Sequence, residues 1–396
     1  MGTETEKRNP VALFMAFGTK GDVYPIAAIA AAFGHDQNQY HVVLVTHSAH
    51  ENLRSHLEDR HVNFLPIKSP SVISIHESYN STETEESAFS LQKRIISREH
   101  RRKCYSVVEG IFGHGPSMEG DFIVINFFAL EGWSLAEHFR VRCVVASPYV
   151  IPYSAPSSFE HQFRKELPLL YEYLQEAPTN KVCWKDVIHW MWPLFTENWG
   201  SWRSDDLNLS PIPFTDPVTG LPTWHDWPPF PLLYGFSKEI VECPGYEPLD
   251  EAIQVVATKT LHFDQRQYSE EGVCLFDGRL FCFPSMIPYN WLFKKCLAGS
   301  SWGKVLCPFM LDQFYWAERM YWLGVAPEPL KRNHLVPDKM DDFRIRVAAN
   351  VLSRAIAYAL SPEVKECALK IAEMISLEDG VMEAVKVLKQ EMTCSN

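Results

Sequence analysis

Within the first 150 residues, short apolar runs alternate with longer helix-patterned stretches, and this rhythm most narrows the fold. Val11 to Phe17, Tyr40 to Thr46, Val62 to Ile67, Phe122 to Phe127 and Cys143 to Ala146 are β-branched or aliphatic almost throughout. Strands apolar on both sides are covered on both sides. The pattern therefore predicts α/β architecture, a parallel sheet between helical layers. Helices are expected from Pro25 to Phe33, Ala49 to Leu57, Phe89 to Cys104 and Leu130 to Phe139, with Ser71 to Glu86 as a polar loop.

From Pro148 to Pro231 the rhythm gives way to a segment dense in Trp, Pro and Tyr, with helix-like stretches at Phe159 to Leu174 and Val182 to Glu197. Its aromatic residues suit a loop-rich core or a cleft for a flat apolar molecule, and the first explains most of them. Pro231 to Ser237 returns to a strand. A second, smaller α/β region starts near Pro248 and ends in helices at Phe343 to Leu360, Pro362 to Ser376 and Val381 to Glu391. The domains are thus expected at 1–240, with the aromatic elaboration at about 148–230, and at 248–396.

Charge and cysteine usage exclude several classes. A formal charge of −12 offers no basic stripe for phosphate neutralisation, so no nucleic-acid partner is expected. The ten cysteines show no Cys-x-x-Cys spacing and no Cys/His ligand cluster, so no metal site is expected. Cys143, Cys282 and Cys307 fall inside apolar runs, which suits a reducing compartment. The polar N-terminus lacks a signal segment, and the most apolar run, Asp121 to Trp133, is too short to span a bilayer. The expectation is a cytoplasmic protein without a transmembrane segment, with peripheral membrane contact left open.

Two segments carry chemistry. Gly18-Thr-Lys-Gly-Asp-Val-Tyr-Pro25 lies between the first strand and the first helix, where glycines let the backbone turn and approach a ligand. It lacks the third glycine of a dinucleotide fingerprint, so a nicotinamide-dependent oxidoreductase is a poor reading. Asp22 is either a helix cap or a functional carboxylate. The second segment is Cys307-Pro-Phe-Met-Leu-Asp-Gln-Phe-Tyr-Trp-Ala-Glu-Arg-Met320. Here Lys304 to Cys307 reads as a buried strand, and Trp316, Met320 and Leu323 share a helix face. Asp312 and Gln313 sit between, where a carboxylate beside a carboxamide can bond a ring of hydroxyls. His47, after the second strand, is a weaker candidate.

The Cys307–Met320 run resembles the donor-site segment of UDP-dependent glycosyltransferases, especially the sterol-glucosyltransferase-like branch. Leu323-Gly-Val-Ala-Pro-Glu-Pro-Leu330 and Leu280-Phe-Cys-Phe-Pro-Ser-Met-Ile-Pro-Tyr-Asn-Trp-Leu-Phe293 continue the resemblance, as does Gly-Thr-x-Gly-Asp-x-x-Pro in the N-terminal turn. It implies a GT-B fold: two Rossmann-like domains with parallel sheets, acceptor domain first, nucleotide-sugar domain second. It implies Asp22 as general base, Gly18, Thr19, Lys20 and Gly21 as the acceptor/donor loop, and Asp312 and Gln313 as donor-sugar contacts. Pro288, Trp291, Ser300 and Ser301 would face the nucleotide. No cofactor is implied; a UDP-sugar is co-substrate, and the acceptor is a lipophilic alcohol such as a sterol.

The chain departs from that pattern twice. Only Leu-Ala-Gly-Ser-Ser-Trp-Gly separates Cys296 from Lys304, where relatives place a strand and a His-Gly-Gly helix entrance for the diphosphate. Val241-Glu-Cys-Pro abuts Gly-Tyr-Glu-Pro-Leu-Asp-Glu-Ala-Ile253, where relatives place a linker and the first donor-domain strands. The C-terminal domain is therefore expected to be truncated, with uncovered apolar faces. Two functions follow: an inverting hexosyltransferase whose activity is weak or lost, or a non-catalytic lipophilic-ligand binder or regulatory partner derived from one.

Overall fold

The computed structural model describes residues 9–35, 37–69, 83–113, 120–147, 155, 158–178, 182–196, 199, 201–216, 218–219, 221–222, 232–235, 240, 273–275, 280–282, 304–308, 313–332 and 342–393. They divide into two compact units, 1–259 with 379–396, and 260–378.

The first unit is built on six strands: β1 (Val11–Met15), β2 (His41–His47), β3 (Val62–Ile67), β4 (Phe122–Ile125), β5 (Arg142–Ser147) and β6 (Leu232–Tyr234). They lie in the order β3-β2-β1-β4-β5-β6, and every pairing is parallel. Winding runs outward from β1 through β2 to β3, then restarts on the other side at β4. A crevice at the strands' C-terminal ends is therefore expected between β1 and β4, where such sheets bind ligands.

Alternate side chains along each strand serve different layers. Leu13, Met15, Val43, Val45, Ile123, Ile125 and Val145 join one buried cluster with Cys104, Val108 and Phe112 of α3 (Glu83–Phe112) and Trp133 and Leu135 of α4 (Glu131–Phe139). On the opposite face Phe33 of α1 (Lys20–His35) packs tilted against Phe14 and edge-on against Phe122, with ring centroids 6.1 and 5.7 Å away. Each fully buried side chain of this size contributes about 1.5–3 kcal/mol, so two-sided coverage is the main stabilising term. The helix Gly380–Thr393 belongs to this unit, contacts α1, and buries Ala384, Val385, Val387 and Leu388. That contact explains why α1 is buried from Val23 to Ala31 rather than amphipathic.

Between β2 and β3 a 3₁₀ turn (Ser48–Leu53) precedes α2 (Arg54–Glu58), where the sequence suggests one helix. α3 already begins at Glu83, inside the expected polar loop. The aromatic segment forms α5 (Phe159–Glu166) and α6 (Pro168–Glu176), broken at Leu167 because Pro168 must start a new helix. Two π-helical turns follow, Val187–Met191 and Trp202–Asp206. Trp184, Trp190, Trp199 and Trp202 are all buried: Trp184 stacks on Phe159, and Trp190 meets Trp133 at 6.0 Å. These aromatics are core, not cleft lining. Arg203, wholly buried, ties the segment to α4, donating to Glu137 at 2.7 Å, Ser134 at 3.0 Å and the Ser210 carbonyl at 2.7 Å.

In the second unit the described strands are the antiparallel pair β7 (Val273–Leu275) and β8 (Leu280–Cys282). Lys304 to Cys307 is not a ladder strand. It is an extended segment, held by Lys304 N–H donating to the Val325 carbonyl and Leu330 N–H to the Leu306 carbonyl, with Lys304 exposed. The helix Gln313–Trp322 buries Ala317 and Arg319, while Trp316 and Met320 are half-buried. In the helix Asp342–Ala359 only Ala355 and Ala359 are buried, and Phe343 is 76% exposed.

Candidate active site

β1 ends at Met15, and the chain turns at Gly18 into α1. Gly18 has φ +110°, and a Cβ there would lie 2.6 Å from Asp22 Oδ2. Only glycine satisfies both demands. Thr19 takes the N-cap role: its carbonyl accepts from the N–H groups of Asp22 and Val23, both at 3.1 Å. Asp22, in the first helical turn, reaches back so that Oδ2 accepts from the Thr19 N–H and the Thr19 hydroxyl, each at 2.7 Å. This is the carboxylate half of a capping box, so the structural and functional readings of Asp22 share one geometry. Thr19, Lys20 and Gly21 are exposed and Asp22 half-buried, so the carboxylate lies at the mouth of the sheet rather than inside it.

Two residues that sequence reasoning missed hold this turn. Asn126 follows β4 directly and is wholly buried. Its Oδ1 accepts from the Phe17 N–H at 3.2 Å, and its Nδ2 donates to the carbonyls of Phe17 at 2.9 Å and Asp22 at 3.1 Å. His50, in the 3₁₀ turn after β2, places Nε2 3.0 Å from the Gly18 carbonyl. The sequence signal for Asn126 was a carboxamide closing an otherwise apolar strand. For His50 there was none.

His47 lies on the other side of β2. Its ring packs 4.7 Å from Phe17 and 5.3 Å from His100, and its Nδ1 is buried without a hydrogen-bond partner. His100 in turn pairs with the Ser69 hydroxyl at 2.8 Å. Burial, then repulsion from His100 and His50, pushes His47 down to about 4; burial, then Arg101 and Lys103, does the same to His100. Both are neutral imidazoles at ordinary pH, packed as part of the wall behind the turn.

Gln313 lies in the second unit as the exposed first residue of its helix. Asp312, Pro288, Trp291, Ser300 and Ser301 lie outside the described residues. Among the described residues no group of three or more His, Cys, Asp or Glu side chains is placed to hold a metal, and no helix is long and apolar enough to cross a membrane.

No family model matches the chain. Two curated proteins of Arabidopsis thaliana are similar over nearly all of it. Sterol 3-beta-glucosyltransferase UGT80B1 is 23% identical over 449 aligned positions, covering 96% of this chain and 67% of the relative. Sterol 3-beta-glucosyltransferase UGT80A2 is 22% identical, covering 97% and 66%. The chain thus spans about two thirds of the relatives' length, and the alignment is longer than the 396-residue chain, so the relatives carry interior positions that it lacks. Among solved structures, the calicheamicin glycosyltransferase CalG4 superposes with a TM-score of 0.55 at 14% identity, over 98% of this chain and 99% of its own. The spinosyn forosaminyltransferase SpnP gives 0.52 at 12% identity, over 98% and 100%. The fold is that of the GT-B glycosyltransferases.

Proposed function

Since the chain is a sterol glucosyltransferase-like relative of the UDP-dependent glycosyltransferases, we propose that it moves a hexose, glucose, from a UDP-sugar to a hydroxyl of a lipophilic, sterol-like acceptor. The observation that carries this reading is Asp22, a half-buried carboxylate held at the C-terminal end of β1, beside the point where strand order reverses.

Asp22 takes the acceptor hydroxyl's proton as the oxygen attacks the anomeric carbon. The bond to the diphosphate oxygen breaks on the opposite face, UDP leaves with the electron pair, and the configuration inverts. Gly18 to Gly21 form the wall against which acceptor and donor meet. By the family resemblance, Asp312 and Gln313 would meet the donor sugar's hydroxyls, and Pro288, Trp291, Ser300 and Ser301 would serve the nucleotide. Without a His-Gly-Gly helix entrance the leaving phosphate loses electrostatic support commonly worth about 3–4 kcal/mol per group, so turnover is slow. Incorporation of radiolabelled glucose from UDP-glucose into sterols and other lipophilic alcohols tests this. Transfer above background that Asp22→Asn abolishes is the expected result; transfer that survives the substitution removes Asp22 from the mechanism.

A second reading is favoured by the helix Asp342–Ala359, whose Phe343, Ile345, Val347 and Ile356 are exposed, as in a donor half short of covering elements. On that reading the first unit binds a lipophilic ligand without chemistry. UDP-glucose raises the thermal midpoint if the donor site is competent and leaves it unmoved in a binder.

A further inference from the structure

We propose that His50 and Asn126 are positioning residues for Asp22, clamping the Gly18–Asp22 turn from the ends of β2 and β4 so that the carboxylate keeps one orientation. This rests on the reading of Asp22 as the base and deepens it. Within the turn, Asp22 Oδ2 accepts from the Thr19 N–H and hydroxyl; Asn126 and His50 tie that local knot to the strands on either side. Asn126 ties the residue before the turn to the residue at its end with three hydrogen bonds across sequence separations of 109 and 104. A carbonyl only accepts, so the Nε2 of His50 must carry the proton it gives to Gly18, which leaves Nδ1 bare. That Nδ1 is buried with no partner, and His50 as a whole is 5% exposed.

The surroundings of His50 keep it neutral, and the bond to Gly18 then sets the tautomer. Burial comes first and lowers its pKa; the Gly18 bond opposes this, Lys20 adds to the lowering, and Asp22 opposes it. His47 also faces it electrostatically, and the Tyr24 ring stands edge-on at 6.1 Å. A proton added at Nδ1 would find no acceptor, so His50 works as a neutral donor. The two clamps approach the turn from the segments that follow β2 and β4, the two neighbours of β1. A general base must lie within about 2.6–3.2 Å of the hydroxyl it deprotonates, and a misplacement of about 1 Å is associated with losses near 100-fold. Freeing the Gly18 carbonyl should therefore act on the chemical step.

The test compares His50→Ala with His50→Gln, whose amide nitrogen reaches the position of Nε2. With UDP-glucose and cholesterol, Ala is expected to lower kcat about 10- to 100-fold with acceptor KM within about twofold, and Gln to restore most of it. Wild-type kcat in the Ala variant, or Gln no better than Ala, overturns the proposal. Asn126→Asp removes the two donated bonds at constant size and is expected to lower kcat further than His50→Ala; a smaller loss counts against the clamp. Should it not fold, the His50 pair decides. If the wild type shows no transfer, the transfer reading fails and the clamp is judged by ¹³C NMR titration of the Asp22 carboxyl, assigned with Asp22→Asn. Ala then shifts the midpoint and Gln leaves it in place; superimposable wild-type and Ala curves overturn the clamp.

Discussion

Among the described residues of the first unit, His47, His50, His100 and His189 are held neutral chiefly by burial, which makes stability fall in mild acid. His47 and His100 are pushed down to about 4, chiefly by desolvation, and His189 is pushed down to about 4 by the same cause. In the unfolded chain a histidine titrates near ~6.5. The folded value is the lower one, so between the two the unfolded chain binds more protons. Stability is then complete above about pH 6.5 and is lost as pH falls toward 4. One such group contributes a slope of about 1.4 kcal/mol per pH unit inside that window, or about 2 kcal/mol between pH 7.5 and 5. His47 and His100 repel each other when charged, so their pair departs from twice the single value. Against a typical domain stability of about 5–15 kcal/mol, these residues are a large share. Glu131 and Glu137 act in the opposite sense, since burial raises both and acid relieves that cost. A differential measurement separates the two. His100→Gln removes one titration and keeps a polar partner for Ser69. Urea unfolding followed by Trp fluorescence at steps between pH 7.5 and 5 should show a slope flatter in the variant below about pH 6, by about 1.4 kcal/mol per pH unit. Parallel slopes would refute the premise that a buried neutral imidazole is being charged on unfolding.

Gly18→Ala should cost about 1–3 kcal/mol from backbone strain at φ +110°, before the contact with Asp22 Oδ2 is counted; an unchanged urea midpoint would contradict the turn geometry. Gly110, inside α3, has nothing within 4 Å of a built Cβ, so Gly110→Ala should raise stability by about 0.5–1 kcal/mol, and a lowered midpoint would count against that open space. Arg203→Met should lose about 3–5 kcal/mol because Glu137 stays behind in a buried site, and adding Glu137→Leu should recover part of it; a double variant worse than the single would contradict the pairing.

The strands and the glycine turn after β1 were legible in the amino-acid order because their causes are local. A strand covered on both faces must be apolar at every position, as β1 is from Val11 to Met15; at the sheet edge β3 still begins and ends where its run does, at Val62 and Ile67, with Asn63 exposed. Gly18 was legible because a sharp strand-to-helix turn asks for glycine. The shortened second half showed itself as missing spacing between Cys296 and Lys304, and its helix Asp342–Ala359 does stand with bare apolar residues.

Tertiary structure alone decided the rest. Strand order, and with it the switch point between β1 and β4, follows from pairings between these two strands, which are separated by more than a hundred residues. Asn126 acquired its role only when β4 set it against Phe17 and Asp22, and His50 only when the 3₁₀ turn brought it to the Gly18 carbonyl. Trp184, Trp190, Trp199 and Trp202 of the middle segment became core because they join the cluster that α3, α4 and the π-helical turns build. Hydrogen bonds and packing across such separations leave no periodic trace along the chain, since neither partner constrains its own neighbours in sequence. Only the folded geometry reveals which polar side chains hold the turn.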